Sequence, residues 1–191
     1  MKSKADKTWR TNSVALLDKG VTSTEEGDLR ITATLKVFGR ANGNMEIAEP
    51  TAYDEFITTY YGAGGYQLPL CYQHDQQHII GAVSRMERDE ERLTIEAVVY
   101  HTAPDFDYIR DLVTRGVLGG VSDGSYAHGY VDDEGYFHVT AAEMCEVSLV
   151  TVPAELLAGV EVSNTLVTGF GKIQEERGGI AALMEDRMFN D

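Results

Sequence analysis

Three short segments of this 191-residue chain concentrate side chains that can move protons or attack a carbonyl. The first is Cys71-Tyr72-Gln73-His74-Asp75-Gln76-Gln77-His78 and the second Gly119-Gly120-Val121-Ser122-Asp123-Gly124-Ser125. The third is Glu143-Met144-Cys145-Glu146-Val147-Ser148-Leu149-Val150. A serine hydroxyl is a poor nucleophile at neutral pH unless a base accepts its proton. His74 is the residue type for that base, because a free imidazole titrates near ~6.5. A third, acidic group would then orient the ring. Glu146 interrupts the apolar run Met144–Val152, and in a regular strand it shares a face with Met144, Ser148, Val150 and Val152. A carboxylate on such a face must be paired, since burying it alone is costly. Ser122, His74 and Glu146 are therefore the candidate nucleophile, base and orienting acid. A turn serine, a surface histidine and a barrel-rim acid are the alternatives that residue types leave open.

Other chemistries compete for the same residues. Gly120-Val121-Ser122-Asp123-Gly124 spells the G-x-S-x-G nucleophile elbow, which needs a strand before the serine and a helix after it. Here a helical pattern precedes and a hairpin pattern follows, so the α/β-hydrolase reading fails on topology. Cys71-x2-His74-x3-His78 offers thiolate and imidazole ligands of zinc type, with Cys145 as a fourth, but no second ligand pair stands elsewhere. Cys71 or Cys145 as nucleophile is the weaker option, because cysteine in a strand is ordinarily core. The acidic runs Asp89-Glu90-Glu91 and Asp132-Asp133-Glu134 fall in turns and lack the twelve-residue calcium-loop pattern.

The elements that must hold these residues read mainly as strands. Ile31, Ala33, Leu35 and Val37 alternate with Thr32, Thr34 and Lys36, and Leu93, Ile95, Ala97 and Val99 repeat the period of two. Gln67–Tyr72 is a strand running into His74, and Ala82–Met86 is another. Tyr126–Val131 and Tyr136–Thr140 flank the turn Asp132-Asp133-Glu134-Gly135, and Met144–Val152 ends at Pro153. Pro50–Tyr61 has room for a short helix. A firmer helix starts after Asp105, carries Tyr108, Ile109, Leu112 and Val113 on one face, and ends at Gly116. The rhythm is not the βαβ alternation of a parallel sheet. The expected fold is mainly β with some α: an antiparallel β-barrel decorated by helices. Residues 1–28 read as a polar extension, 29–162 as the barrel domain, and 163–191 as a glycine-punctuated tail, flexible and a target for processing.

Charge narrows the partners. The formal net charge is -15, with 16 Lys/Arg against 31 Asp/Glu. Residues 1–40 carry eight basic and five acidic residues, a balance of +3; the other 151 carry eight and twenty-six, or -18. An acidic body repels phosphate backbones, so stable nucleic-acid binding is not expected. No run of 18 apolar residues exists to span a membrane, and no apolar segment follows the charged N-terminus as in a secretory signal. Two cysteines 74 positions apart fit free thiols in a reducing compartment, the cytoplasm.

Taken in order, these blocks resemble the HK97-type prohead (capsid maturation) serine proteases of tailed bacteriophages. The resemblance rests on His74-Asp75 with Ile80-Gly81, the strand Leu93–Tyr100, and the helix ending at Gly116. It continues through Gly119-Gly120-Val121-Ser122-Asp123-Gly124 to Glu146-Val147-Ser148-Leu149-Val150-Thr151-Val152-Pro153-Ala154. It spans roughly residues 29–162. It implies a β-barrel akin to the herpesvirus assembly proteases, with Ser122 as nucleophile, His74 as base and Glu146 as third member. It also implies a serine endopeptidase, needing no cofactor and no metal, that processes the major capsid protein, the scaffold segment and itself. The implied location is the host cytoplasm, inside the viral procapsid; a homo-oligomer is left open. The family usually has an apolar residue after the serine where this chain has Asp123, an aromatic one residue earlier than Tyr126, and Pro-Ala-Asn where Pro153-Ala154-Glu155 stands. These departures keep a second expectation in view: a catalytically inactive, assembly- or scaffold-associated barrel. Asp123, beside the nucleophile, would either disfavour acidic substrate residues near the cleaved bond or perturb activity.

Overall fold

The computed structural model describes residues 8–16, 22–24, 27–61 and 67–152. The segment 163–191, expected to be a processed tail, lies outside the described residues. Nine strands form one sheet: β1 (Thr8–Leu16), β2 (Thr22–Ser23), β3 (Leu29–Val37), β4 (Glu46–Ala48), β5 (Pro69–Tyr72), β6 (Asp75–Arg88), β7 (Arg92–Val99), β8 (Gly120–Val131) and β9 (Phe137–Val150). Their order is β1-β8-β9-β5-β6-β7-β3-β2, with β4 added on β9. The sheet curls into a half-barrel, bringing β3 close to both β1 and β8. Most pairs are antiparallel, as the alternation predicts, but β4 and β5 each run parallel to β9.

The alternating residues form the core. Ile31, Ala33, Leu35, Leu93, Ile95, Ala97 and Val99 are all buried, together with Leu70, Val121, Val147 and Leu149 from the strands opposite. Close strand contact fixes Gly81, where a Cβ would sit 1.8 Å from the Val98 carbonyl oxygen on β7. Helix α1 (Phe106–Thr114) presents Phe106, Ile109 and Val113 to this core. It ends as expected: Gly116 takes φ 71°, and the Val117 N–H closes the terminus on the Leu112 carbonyl at 2.8 Å. Tyr108, read as apolar-face, is instead exposed. Asp105 precedes the helix in the left-handed region, and its side chain makes no capping hydrogen bond. The helix looked for in 50–61 is a short π-helical segment, Phe56–Tyr61.

Three differences from the sequence reading matter for the site. Strand β8 begins at Gly120, so Ser122 lies inside a strand and not in a glycine turn. Strand β9 runs unbroken from Phe137 to Val150, joining two expected segments, because Ala141–Glu143 between them are half-buried or buried small and polar residues that pair across to β8. Strand β1 emerges from a stretch with no clear period and pairs antiparallel with β8, placing Ser13 opposite Ser122.

Candidate active site

Strand register decides which side chains can meet. In an antiparallel pair, residues directly opposite lie on one face, with Cβ atoms about 4.5–5.5 Å apart. Ser122 on β8 is opposite Ser148 on β9, and Gly124 is opposite Glu146. Ser122, Ser148 and Glu146 therefore share a face, and Gly124 adds no side chain of its own opposite the carboxylate. Asp123, opposite Val147, belongs to the other face, with Val121 and Leu149 in the interior.

A bulge sets this arrangement. Between Gly124 and Ser125 the register slips, so Cys145 has no counterpart on β8 and Ser125 faces Met144. A regular strand would have kept Met144 and Glu146 on one face. The extra residue sends buried Met144 inward and turns Glu146 the other way, which is the usual effect of a bulge on a side chain's aim.

His74 reaches that same face from the tight turn joining β5 to β6. Parallel pairing puts Cys71 opposite Ser148 and Tyr72 opposite Leu149, so β5 delivers the chain beside the middle of the β9 motif. Gln73 and His74 then both adopt positive φ, 53° and 63°. Such a conformation is unfavourable for residues other than glycine and persists only when the surroundings hold it. Here β9 holds it: the Gln73 N–H donates to the Leu149 carbonyl at 2.9 Å, and the His74 N–H donates to Ser148 Oγ at 3.0 Å.

The result is a short polar chain. Nδ1 of His74 lies 2.7 Å from Oε1 of Glu146, and Ser148 Oγ donates to Oε2 of the same carboxylate at 2.6 Å. A carboxylate facing Nδ1 fixes the proton there and leaves the lone pair on Nε2. Glu146 is 1% exposed, yet both its oxygens are partnered. That meets the condition for a buried carboxylate. The His74 side chain retains 25% exposure, whereas Ser122 is fully buried. Of the expected residues, His74 and Glu146 are thus in direct hydrogen bond, and Ser122 stands on their face, across from Ser148. Ser148 was visible in the sequence only as part of a motif; its role as a tie between His74 and Glu146 depends on a backbone N–H that sequence cannot place.

The competing readings separate from this arrangement. Cys71 is buried, and burial first, then the charges of Glu146 and Asp75, push its thiol up to about 11, far from a thiolate at neutral pH. His78 packs edge-on to Tyr72, with ring centroids 5.3 Å apart. Among the described residues no three His, Cys, Asp or Glu side chains converge as metal ligands. Asp123 does not face a substrate: its carboxylate points inward to Lys36, Nζ–Oδ1 2.6 Å, and receives the Ser125 hydroxyl on Oδ2. The expectation that it would select against acidic substrate residues is therefore withdrawn.

Comparison with known proteins bears on family and fold. The family model of caudovirus prohead serine proteases matches residues 19–172. Among solved structures, the bacteriophage T4 capsid assembly protease gp21 superposes with a TM-score of 0.61 at 14% identity, over 76% of this chain and 98% of that one. No curated protein sequence matches.

Proposed function

The chain belongs to the caudovirus prohead serine protease family, and on that footing we propose that Ser122, His74 and Glu146 are its catalytic triad. It is a phage serine endopeptidase of capsid maturation, acting within the procapsid on capsid and scaffold proteins. The observation that carries the residue assignment is the Glu146–His74 hydrogen bond, on the strand face that also bears Ser122.

The mechanism follows from the fixed tautomer. Ser122 Oγ attacks the scissile carbonyl carbon as Nε2 of His74 takes its proton. Glu146, 2.7 Å from Nδ1, stabilises the imidazolium that forms. The imidazolium then gives its proton to the leaving amine, the acyl-enzyme is left on Ser122, and water repeats the sequence in reverse roles. Backbone N–H donors at the oxyanion contribute several kcal/mol in such sites. Ser122 is buried, so its Oγ must become accessible before a peptide can bind there.

Specific substrates belong to the same proposal: the N-terminal scaffold-like segment of the major capsid protein, and the protease itself. Synthesis in the host cytoplasm, a chain that does not hold duplex DNA, and assembly into the procapsid complete it. The intact mass of the full chain, followed over time beside Ser122→Ala, tests it. Loss of a terminal fragment in the parent alone supports serine-dependent self-processing; equal loss in both chains would assign the cleavage elsewhere.

A further inference from the structure

Behind the proposed nucleophile lies an ion pair that the chemistry described so far does not use. Lys36 and Asp123 are 3% and 0% exposed, with Nζ and Oδ1 2.6 Å apart. The second carboxylate oxygen accepts from Ser125, and the ammonium stands 5.8 Å above the ring of fully buried Tyr53. Lys36 reaches this interior because β3 is bulged. Its register against β7 slips between Thr34 and Lys36, so Lys36 lies opposite buried Leu93 instead of on the side of Thr32. Strands β3 and β8 share no ladder: β3 pairs with β2 and β7, and β8 with β1 and β9. The ion pair is thus a tie across the interior of the curled sheet, and it is anchored at the residue that follows Ser122.

Stability alone does not account for it. Apolar side chains of similar volume usually serve a core as well as a buried ion pair or better. What the tie supplies is direction. Successive strand residues point to opposite faces, so clamping Asp123 inward from two sides sets the pitch of β8 at Ser122 and hence where Oγ points on the outer face. We infer that Lys36, Asp123 and Ser125 are positioning residues, a strut that aims Ser122 at His74. This rests on the nucleophile assignment above.

The test separates aim from stability in the full chain. In the triple variant Lys36→Met/Asp123→Leu/Ser125→Ala every polar group of the strut is replaced together, so no buried charge is left unpaired. Reaction with a fluorophosphonate is read as kinact and KI, and folding as Tm. The expected result is a Tm within a few degrees of the parent, an unchanged KI and a kinact lower by about 100-fold, the loss a misplaced reacting group brings. A triple variant that reacts at the parent rate overturns the inference. Should that variant not fold, Lys36→Arg decides, because it keeps the charge but changes the strut's length. A kinact reduced severalfold at the parent Tm supports the strut, and the parent kinact overturns it. A parent chain that forms no adduct at Ser122 overturns the nucleophile assignment and the strut with it, whereas a labelled parent with an equally reactive variant overturns the strut alone.

Discussion

Each member of the proposed triad has a partner whose loss should be read differently. Glu146→Gln keeps the shape but removes the charge and lets Nδ1 carry the lone pair, so turnover should fall by about 10⁴-fold with little change in fold. Ser148→Ala deletes one hydroxyl that accepts from the His74 N–H and donates to Glu146. It should lower kcat by a smaller factor, about tenfold, because the Glu146–His74 bond itself survives. Measuring kcat for both variants ranks them; Ser148→Ala as damaging as Glu146→Gln would mean that Ser148 is more than a tie. Cys71 gives the complementary prediction. With its thiol at about 11 and buried, it should resist iodoacetamide at neutral pH while half-buried Cys145 reacts first, and peptide mapping of the alkylated native chain would show this order. His74, Ser122 and Glu146 were legible as residue types able to do this chemistry. That His74 sits in a left-handed turn against Ser148 was not, because it depends on β5 running parallel to β9, whose partner residues lie 77 positions further along the chain.

At the scale of elements, strand existence was readable from the period of two, and what escaped was the effect of single extra residues. Lys36 appeared to alternate with the core, and Glu146 to share a face with Met144. One bulge in β3 and another in β9 reversed both. A bulge carries no period of its own, so alternation cannot announce it. Strand β1 was missed for a related reason: Thr8–Leu16 mixes polar and apolar residues without regular spacing. The β8–β9 hairpin makes its own prediction. His138 on β9 bonds Glu49 through Nδ1 at 2.7 Å and Asp132 through Nε2 at 3.0 Å, and it stacks on Tyr130. Those two hydrogen bonds raise the His138 pKa above its ordinary 6.5, and the one to Asp132 helps hold that carboxyl below its own ordinary value. A raised histidine pKa contributes stability that is full below 6.5 and disappears as pH rises through the folded value; the lowered Asp132 contribution disappears only as pH falls into the carboxylate range. The Tm should therefore decline as pH rises above 6.5 through the raised His138 pKa, and the decline should be shallower in His138→Asn. An identical slope in the two proteins would show that the hairpin clamp is not the titrating element.

For the molecule as a whole, net charge bears on the partners. A formal charge of -15 should keep the chain from holding duplex DNA at physiological salt, and a filter-binding titration that shows retention would contradict this. The fold class was legible because seven strand patterns and one helix left little other than an antiparallel, curled sheet, and the T4 capsid assembly protease gp21 shares that fold. The path of the sheet was not, since β5 pairs with β9 and β1 with β8, which are pairings between distant parts of the chain. The decisive atom is the Oγ of Ser122, which the register sets on the face of a carboxylate-held imidazole. The most direct test is reaction of the full chain with a fluorophosphonate, the adduct being mapped by mass beside Ser122→Ala and His74→Ala. The expected result is a single adduct on Ser122 in the parent and none in either variant. An adduct on Ser125 or Ser148, or full labelling without His74, would contradict it.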